Sequence, residues 1–420
     1  MNYDLYWVWL SCALGAGASC LELVSYYEWD PYVIYGTAYN EIEKLDILTK
    51  RQLEKLKSFP LEKAEEILSL SRKMGIKILT PSSEHYPKRL LCTDDLPLTL
   101  YVDGDETAFD NELAISVVGA RKASDYGRAV ARALSGALSS RGFTIVSGGA
   151  LGIDSSAHLG ALDEKAQTIC VLGCGLGTRY LMENEPLRQK IRENGCLVTE
   201  YPPKTPASRV SFPLRNRIIS GMSLGTVVVE AGERSGSLIT ARLALEQGKD
   251  VFAVPGDLVS SSFLGTNNLI RNGAIPVFSP NDILEEYCHK YFDRINDSNR
   301  LPDDEIINRA QKFLADENFL KENKKENLKN NPPKKENKKQ SAKIDVVKED
   351  APKILEKKDA PSYLTPNAKK VYDVIGTEPI HIDEIINVCN LQTSETLSAI
   401  TELEIYGLIA EVEGRQYTLS

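Results

Sequence analysis

Short apolar runs alternate with longer amphipathic segments between residues 76 and 292. The helical segments run to about 10 to 15 residues, and the first has Val130, Leu134 and Leu138 on one face, with Ser124 or Asp125 as its N-cap. Continuous apolar strands that alternate with helices are typical of a parallel sheet covered on both faces. The pattern therefore predicts an α/β, extended Rossmann-like, doubly wound parallel sheet, with strands at Ala114–Val118, Thr144–Val146, Thr168–Leu172, Leu197–Glu200, Thr226–Glu230 and Asp250–Val254.

Residues 1–75 predict a small helical domain of the SAM-like or helix-hairpin-helix-like kind. Trp7, Leu10 and Leu14 have helical spacing before a turn that reads Gly15-Ala16-Gly17. Such a turn either touches a DNA backbone or lets two helices pack closely. We favour packing, because it is the commoner use of a glycine turn between helices.

The C-terminal third divides into two parts. Residues 293–361 are poor in aromatic residues and rich in Lys, Glu and Asn, which predicts a flexible charged linker. Residues 362–420 predict three helices and a hairpin, as in a winged helix-turn-helix domain. The expected recognition helix, residues 394–406, has three glutamates and no Lys or Arg, so contact with a protein is as plausible as contact with duplex DNA.

Composition restricts the function classes. The chain has 420 residues and a net charge of −9, so contact with nucleic acid requires a local basic groove rather than a uniformly cationic surface. Eight cysteines without a CxxC pair, and only four histidines, argue against a structural metal site. No apolar run reaches about 18 residues and no basic region precedes the apolar N-terminus, so we expect a cytoplasmic protein without membrane contact.

Four glycine-rich turns each follow an apolar strand. Small residues let a backbone approach a ligand closely, and helix N-termini favour anions, so the turns predict a track of phosphate contacts. None matches the dinucleotide fingerprint, and no Walker A sequence is present, so we expect no cofactor. The turns are VVGARKASD at 117–125, VSGGALGID at 146–154, VLGCGLG at 171–177 and VEAGERSG at 229–236.

A basic segment with an aromatic residue, RVSFPLRNR at 209–217, enters a predicted helix. Cations hold phosphates and an exposed aromatic ring stacks on a base, which is the chemistry of single-stranded nucleic-acid binding. In the alternative interpretation, Phe212 packs in the core and the arginines form ion pairs. The residues alone leave both interpretations open.

Seven blocks in order resemble the DNA processing protein A family, also called DprA or Smf. The resemblance is dense over about residues 80–287 and extends to both flanking modules. The blocks are GARKASDYGR, SGGALGIDSSAH, VLGCGLG, TEYPPKTP, FPLRNRIISG, ERSGSLITARLALEQGKDVFAVPG and NNLIRNGA.

The resemblance implies a non-enzymatic, homodimeric protein that binds single-stranded DNA and helps to load RecA recombinase onto incoming strands during natural transformation. It implies no catalytic residue and no metal ligand. With Lys122, Arg179 and Asn216 added from the residues themselves, the set that we expect to bind DNA is Arg121, Lys122, Ser147, Gly148, Gly149, Arg179, Arg209, Phe212, Arg215, Asn216, Arg217, Ser235 and Gly236.

Two turns depart from the family pattern. Leu151 stands where the second block usually has an arginine, and Gly177 where the third usually has an aspartate; a Tyr-Pro pair is replaced by Tyr180-Leu181. Arg179 adds a cation near the third turn.

Two other functions compete with this one. Phosphoribohydrolases that resemble lysine decarboxylases carry PGG-x-GT-x-x-E, but the corresponding AGERSGSLIT lacks the catalytic glutamate. A pure adaptor would use the sheet only as a dimer scaffold. We expect the remaining candidate acids to have structural roles at strand ends and helix caps: Asp154, Glu200, Glu230 and Asp257.

Overall fold

The chain divides into two units, residues 1–333 and 334–420. The computed structural model describes residues 3–295, 300–302, 304–315, 365–376 and 380–389, and within the last thirty residues it describes 391, 393, 395–396, 399–400, 403, 409–412 and 416–419.

A nine-stranded sheet organises the first unit, in the order β1-β2-β6-β5-β4-β3-β7-β8-β9. Seven strands from β6 to β9 are parallel, and β2 pairs antiparallel with both β1 and β6. The parallel Rossmann-like sheet predicted from the sequence is therefore confirmed. The strands are β1 Lys77–Leu79, β2 Leu100–Gly104, β3 Ala114–Val118, β4 Thr144–Ser147, β5 Thr168–Val171, β6 Gly195–Thr199, β7 Gly225–Val228, β8 Asp250–Ala253 and β9 Ile275–Pro276.

Helices cover both faces of this sheet. From β3 the chain runs outward through β4, β5 and β6, then returns to place β7 on the other side of β3. The carboxyl ends of β3 and β7 thus form the topological switch point, where open α/β sheets bind ligands. The helices are α7 Asp125–Ser139, α8 Ile153–Asp163, α9 Glu185–Glu193, α10 Ser211–Met222, α11 Ser237–Glu246, α12 Leu264–Arg271 and α13 Asn281–Cys288.

Six short helices form the N-terminal module around a core that includes Trp7, Leu10 and Leu23. Its glycine turn packs inward: the Gly17 N–H donates to Glu200 Oε1, and a Cβ on Gly17 would lie 2.9 Å from Leu214 Cδ2. This supports the packing interpretation of the turn. The helices are α1 Tyr3–Leu14, α2 Leu21–Tyr26, α3 Pro31–Gly36, α4 Tyr39–Lys44, α5 Lys50–Ser58 and α6 Leu61–Lys73.

The linker predicted at 293–361 begins too early. Ile295, Leu301 and Ile306 are buried in the core beside α13, and residues 305–315 form helix α14. Arg309 fastens this helix to the end of α8 through an ion pair with Glu164 at 2.6 Å, and it also pairs with Glu305 one turn earlier in the same helix at 2.6 Å. Because the apolar residues here are few and widely spaced, the sequence pattern did not predict this ordered segment. Residues 316–364, including the Lys- and Glu-rich centre, lie outside the described residues.

The second unit contains α15 Pro366–Val374, α16 Ile382–Cys389, and an antiparallel sheet in the order β10-β12-β11. Its strands are β10 Ile380–His381, β11 Ile409–Val412 and β12 Gln416–Leu419. Val371, Ile385, Ile400 and Leu403 share its core. Much of the predicted recognition helix, including Glu402 and Glu404, lies outside the described residues.

No helix in the described part of the chain is both long and apolar enough to cross a membrane. The same residues contain no group of three or more His, Cys, Asp or Glu side chains placed to hold a metal ion.

Candidate nucleic-acid interface

A cleft of about 860 Å³ opens at the carboxyl ends of β3 and β7. Its walls are the loop that follows β3, the loop that follows β7, the first turns of α10 and the N-terminus of α11. The chain reverses direction across the sheet at this place, so the cleft occupies the switch point itself. We call it the switch-point cleft.

The charge of the switch-point cleft is predominantly positive. Five cationic side chains line it, against the two carboxylates of Asp154 and Glu230. Four of the cations are exposed, and among the described residues none of these four has a carboxylate partner. They are therefore available to an anionic ligand: Arg121, Lys122, Arg209 and Arg234.

An aromatic pair lies on one wall. The rings of Phe212 and Tyr180 are 5.1 Å apart between centroids, and the guanidinium carbon of Arg121 lies 5.3 Å from the centroid of Phe212. A Cβ on Gly173 would lie 2.7 Å from Phe212 Cδ1, so only glycine fits beneath the ring without displacement. Phe212 is half-buried. Phe212 therefore has features of both interpretations of the sequence. Its ring packs on the Gly173 backbone, as a core residue would, and it also lines the cleft, as a ring that contacts nucleic acid would.

Arg215 contributes to the cleft wall from inside. Its side chain is buried, and Nη1 donates to the carbonyl oxygens of Gly148 and Val171. Burial raises the pKa of Asp154, and the charge of Arg215 opposes this shift. Arg215 therefore fixes the ends of β4 and β5, and its guanidinium reaches a ligand less readily than the exposed cations do.

The N-terminus of α11 faces the same cleft. Ser235 and Gly236 precede the helix, and both line the cleft together with Ser237 and Asn216. A helix N-terminus carries partial positive charge and favours a phosphate nearby. These predicted residues are brought together with Arg121 and Phe212.

The carboxylates have structural partners. Glu230 accepts hydrogen bonds from the Ser124 N–H and hydroxyl, while the Ser124 hydroxyl accepts from the Gly127 N–H and caps α7. Asp154 Oδ2 accepts from the Ala150 N–H at 3.3 Å. Away from the cleft, Asp257 Oδ1 accepts from the Val259 N–H. Each of these three carboxylates thus accepts a hydrogen bond from the chain, although Asp257 lies in a loop and not at the strand end or helix cap that we expected.

Arg217 lies outside the switch-point cleft, contrary to the prediction that it binds DNA there. It is 3% exposed, and it forms ion pairs with Glu200 at 2.7 Å and with Asp95 at 3.1 Å. Helix α10 already begins at Ser211, so this side chain lies on the inner face of the helix and is neutralised there.

Four other predicted residues lie outside the cleft. Ser147 is fully buried and donates its hydroxyl proton to the Val117 carbonyl, and Gly148 and Gly149 are buried behind it. The first part of the second glycine turn therefore packs against Arg215, and this turn reaches the cleft only through Ala150 and Asp154. Arg179 is exposed but lines a separate, smaller cavity.

Among the cationic and aromatic residues that line the cleft, two were absent from the predicted set. Arg234 follows β7 in the fourth glycine turn, and its exposed cation between Gly232 and Gly236 was a usable signal. Tyr180 had no such signal, because its role depends on contact with Phe212, 32 positions later in the chain.

Comparison with known proteins decides the family. The family model described as "DNA recombination-mediator protein A" matches residues 77–288, which is half of the chain, and "DprA winged helix domain" matches residues 356–415. The chain belongs to the DNA recombination-mediator protein A family. The winged-helix prediction for the C-terminal domain is also confirmed.

Two curated relatives show how far the similarity extends. Protein Smf of Escherichia coli is 44% identical over 57% of this chain and 64% of its own length, so less than two thirds of that relative is covered. DNA processing protein DprA of Bacillus subtilis is 41% identical over 53% of this chain and 75% of its own length.

A solved structure agrees with the fold. DNA processing protein A of Streptococcus pneumoniae superposes with a TM-score of 0.58 at 30% identity, over 68% of this chain and 98% of that one. The recombination-mediator fold therefore extends beyond the region that the family model matches.

Proposed function

We propose that this chain binds single-stranded DNA in the switch-point cleft, without catalysis and with little base preference. The observation that carries the proposal is the set of four exposed cations that have no carboxylate partner among the described residues and line the same cleft as Phe212, one of them, Arg121, over its ring. Cations hold the backbone phosphates, and an aromatic face stacks on any base.

The geometry favours a single strand over a duplex. Base stacking on Phe212 or Tyr180 requires unpaired bases, and the acidic net charge of the chain confines attraction to the cleft. The cleft reads no base edges in the way that a helix in a major groove does. We therefore expect the cleft to distinguish a single strand from a duplex better than it distinguishes one base sequence from another.

The absence of catalysis is part of the proposal. Hydrolysis of a nucleotide needs a carboxylate free to act on water or substrate. Glu230 and Asp154, the carboxylates in the cleft, both accept hydrogen bonds from the chain. We therefore assign to the cleft binding and positioning only.

The wider role follows from the family. A recombination mediator acts with a recombinase, so we propose that the homodimeric protein, in the cytoplasm, helps to load RecA onto strands that enter during natural transformation. The likeness to DNA processing protein DprA of Bacillus subtilis supports a role in DNA processing. Dimerisation through the sheet-containing unit is part of the same proposal.

Fluorescence anisotropy with a labelled oligothymidine tests binding. We expect saturable binding that an unlabelled single strand displaces and that a duplex of equal length displaces poorly. Filament assembly by RecA on DNA coated with single-strand-binding protein, with and without this chain, tests loading. Release of free base from nucleoside monophosphates would instead support the phosphoribohydrolase alternative.

A further inference from the structure

A second, smaller cavity lies beside the third glycine turn. Its volume is about 210 Å³, and it is lined by the turn from Cys174 to Arg179 and by one face of α9. Among the described residues that line this cavity, the buried cation with the most unused hydrogen-bond donors is Arg188. We call it the third-turn cavity.

Arg188 is 5% exposed and has unused hydrogen-bond donors. Its Nη1 donates to the Tyr180 carbonyl at 2.8 Å, while Nε and Nη2 have no hydrogen-bond partner among the described residues. A buried cationic donor without an acceptor is costly. Because Arg188 lines the cavity, an anion bound there would bring hydrogen-bond acceptors next to this side chain.

The surrounding charges do not neutralise Arg188. Glu185 is the carboxylate in the cavity wall, 3.6 Å from Arg188, but it makes a shorter contact of 2.9 Å with Arg192. Arg192 is held further by Asp103 at 2.6 Å. Arg179 adds an exposed cation at the rim. The cavity thus has an excess of positive charge with one carboxylate shared between two arginines.

We propose that the third-turn cavity binds a phosphate monoester dianion, held by Arg188 and Arg179. A guanidinium presents a planar pair of donors that matches phosphate oxygens, and the small volume suits a single phosphate group. The glycines of the turn let a ligand approach the backbone closely.

The dianion has two chemical sources. One is a free nucleoside monophosphate. The other is the terminal phosphate of a strand in the switch-point cleft, because Tyr180 lines that cleft while its carbonyl accepts from Arg188. This second source rests on the proposed function, whereas the first does not.

The test compares matched ligands with and without the phosphate group. Calorimetry compares the affinity of the protein for thymidine 5′-monophosphate with its affinity for thymidine. Fluorescence anisotropy compares the affinities for oligothymidines that carry a 5′-phosphate, a 3′-phosphate or hydroxyl groups at both ends. We expect the phosphate group to improve binding of at least one ligand about tenfold. Arg188→Lys and Arg179→Gln should abolish most of that gain.

Lys190→Gln is the matched control, since Lys190 is exposed on the same helix and lies outside the cavity. The Lys190→Gln variant should retain the improvement in binding that the phosphate group gives. Arg188→Lys retains the buried charge, and Arg179→Gln changes an exposed residue, so circular dichroism should show folded variants.

The outcomes separate the two proposals. A gain for the monophosphate alone identifies a free nucleotide as the source, and a gain for one phosphorylated end identifies the strand; either supports the cavity if it depends on Arg188. Equal binding of phosphorylated and unphosphorylated ligands, or a gain unchanged in both variants, overturns it. Failure of the hydroxyl-ended strand to bind counts against the proposed function only.

Discussion

The guanidinium of Arg121 lies over the ring of Phe212, 5.3 Å from the ring centroid. Tyr180 contacts the same ring, and the Gly173 backbone supports it. A cation over an aromatic face gains about 0.5–1 kcal/mol at an exposed site. In the proposed binding mode, this contact holds the group that binds phosphate next to the ring that stacks on a base.

Phe212→Ala should weaken single-strand binding by about 1–3 kcal/mol, because a stacking surface is lost. Folding stability should fall by less than the roughly 3–5 kcal/mol typical of a fully buried Phe, since this ring is only half-buried. Anisotropy and urea unfolding of the same preparations measure both quantities. Unchanged DNA affinity with a large loss of stability would assign Phe212 to the core alone.

Arg217→Met should destabilise the fold by about 3–5 kcal/mol, since it leaves the buried carboxylate of Glu200 without its partner. DNA affinity of the folded fraction should stay at the wild-type value. Adding Glu200→Gln should restore part of the stability, which urea unfolding measures. A stable Arg217→Met protein that had lost DNA binding would return Arg217 to the interface.

His158 predicts a stability loss in acid. Burial lowers its pKa to about 3, and Nδ1 donates to Thr168 Oγ1, whose own proton goes to the Ile145 carbonyl. Because the folded pKa lies below the unfolded value of about 6.5, its contribution is complete above pH 6.5 and is lost as pH falls towards 3.

Between pH 7 and pH 5 this loss amounts to about 2 kcal/mol. His158→Asn should remove it, so the variant should lose less stability than the wild type over the same interval, as measured by urea unfolding. Parallel pH dependence in the two proteins would show that His158 does not titrate in this way.

The sequence predicted the parallel sheet because its buried strands are continuous apolar runs. Ala114–Val118 has the predicted bounds, and Ser124 caps α7 as expected. β1 and β9 were missed because they contain only three and two residues. β2 was missed because its order depends on antiparallel pairing with β6, far along the chain.

The site was predictable only in part, for a geometric reason. Arg209 and Arg217 lie in one basic segment, yet α10 begins at Ser211 and separates their environments. Arg209 precedes the helix and stays exposed, whereas Arg217 turns towards Glu200. Local sequence shows the cations but not the distant carboxylate that neutralises one of them.

The salt dependence of DNA binding tests the central claim most directly. A triple variant, Arg121→Ala, Arg209→Ala and Arg234→Ala, removes three exposed cations from the switch-point cleft, and Arg51→Ala removes an exposed cation of α5 as the control. Anisotropy with oligothymidine over a range of salt concentrations gives the slope of log affinity against log salt.

Each phosphate contact on a single strand contributes about 0.7 to this slope. The account predicts a triple variant with much weaker binding and a slope shallower by about 2, and a control that matches the wild type. A folded triple variant with wild-type affinity and slope would contradict the assignment of DNA to this cleft.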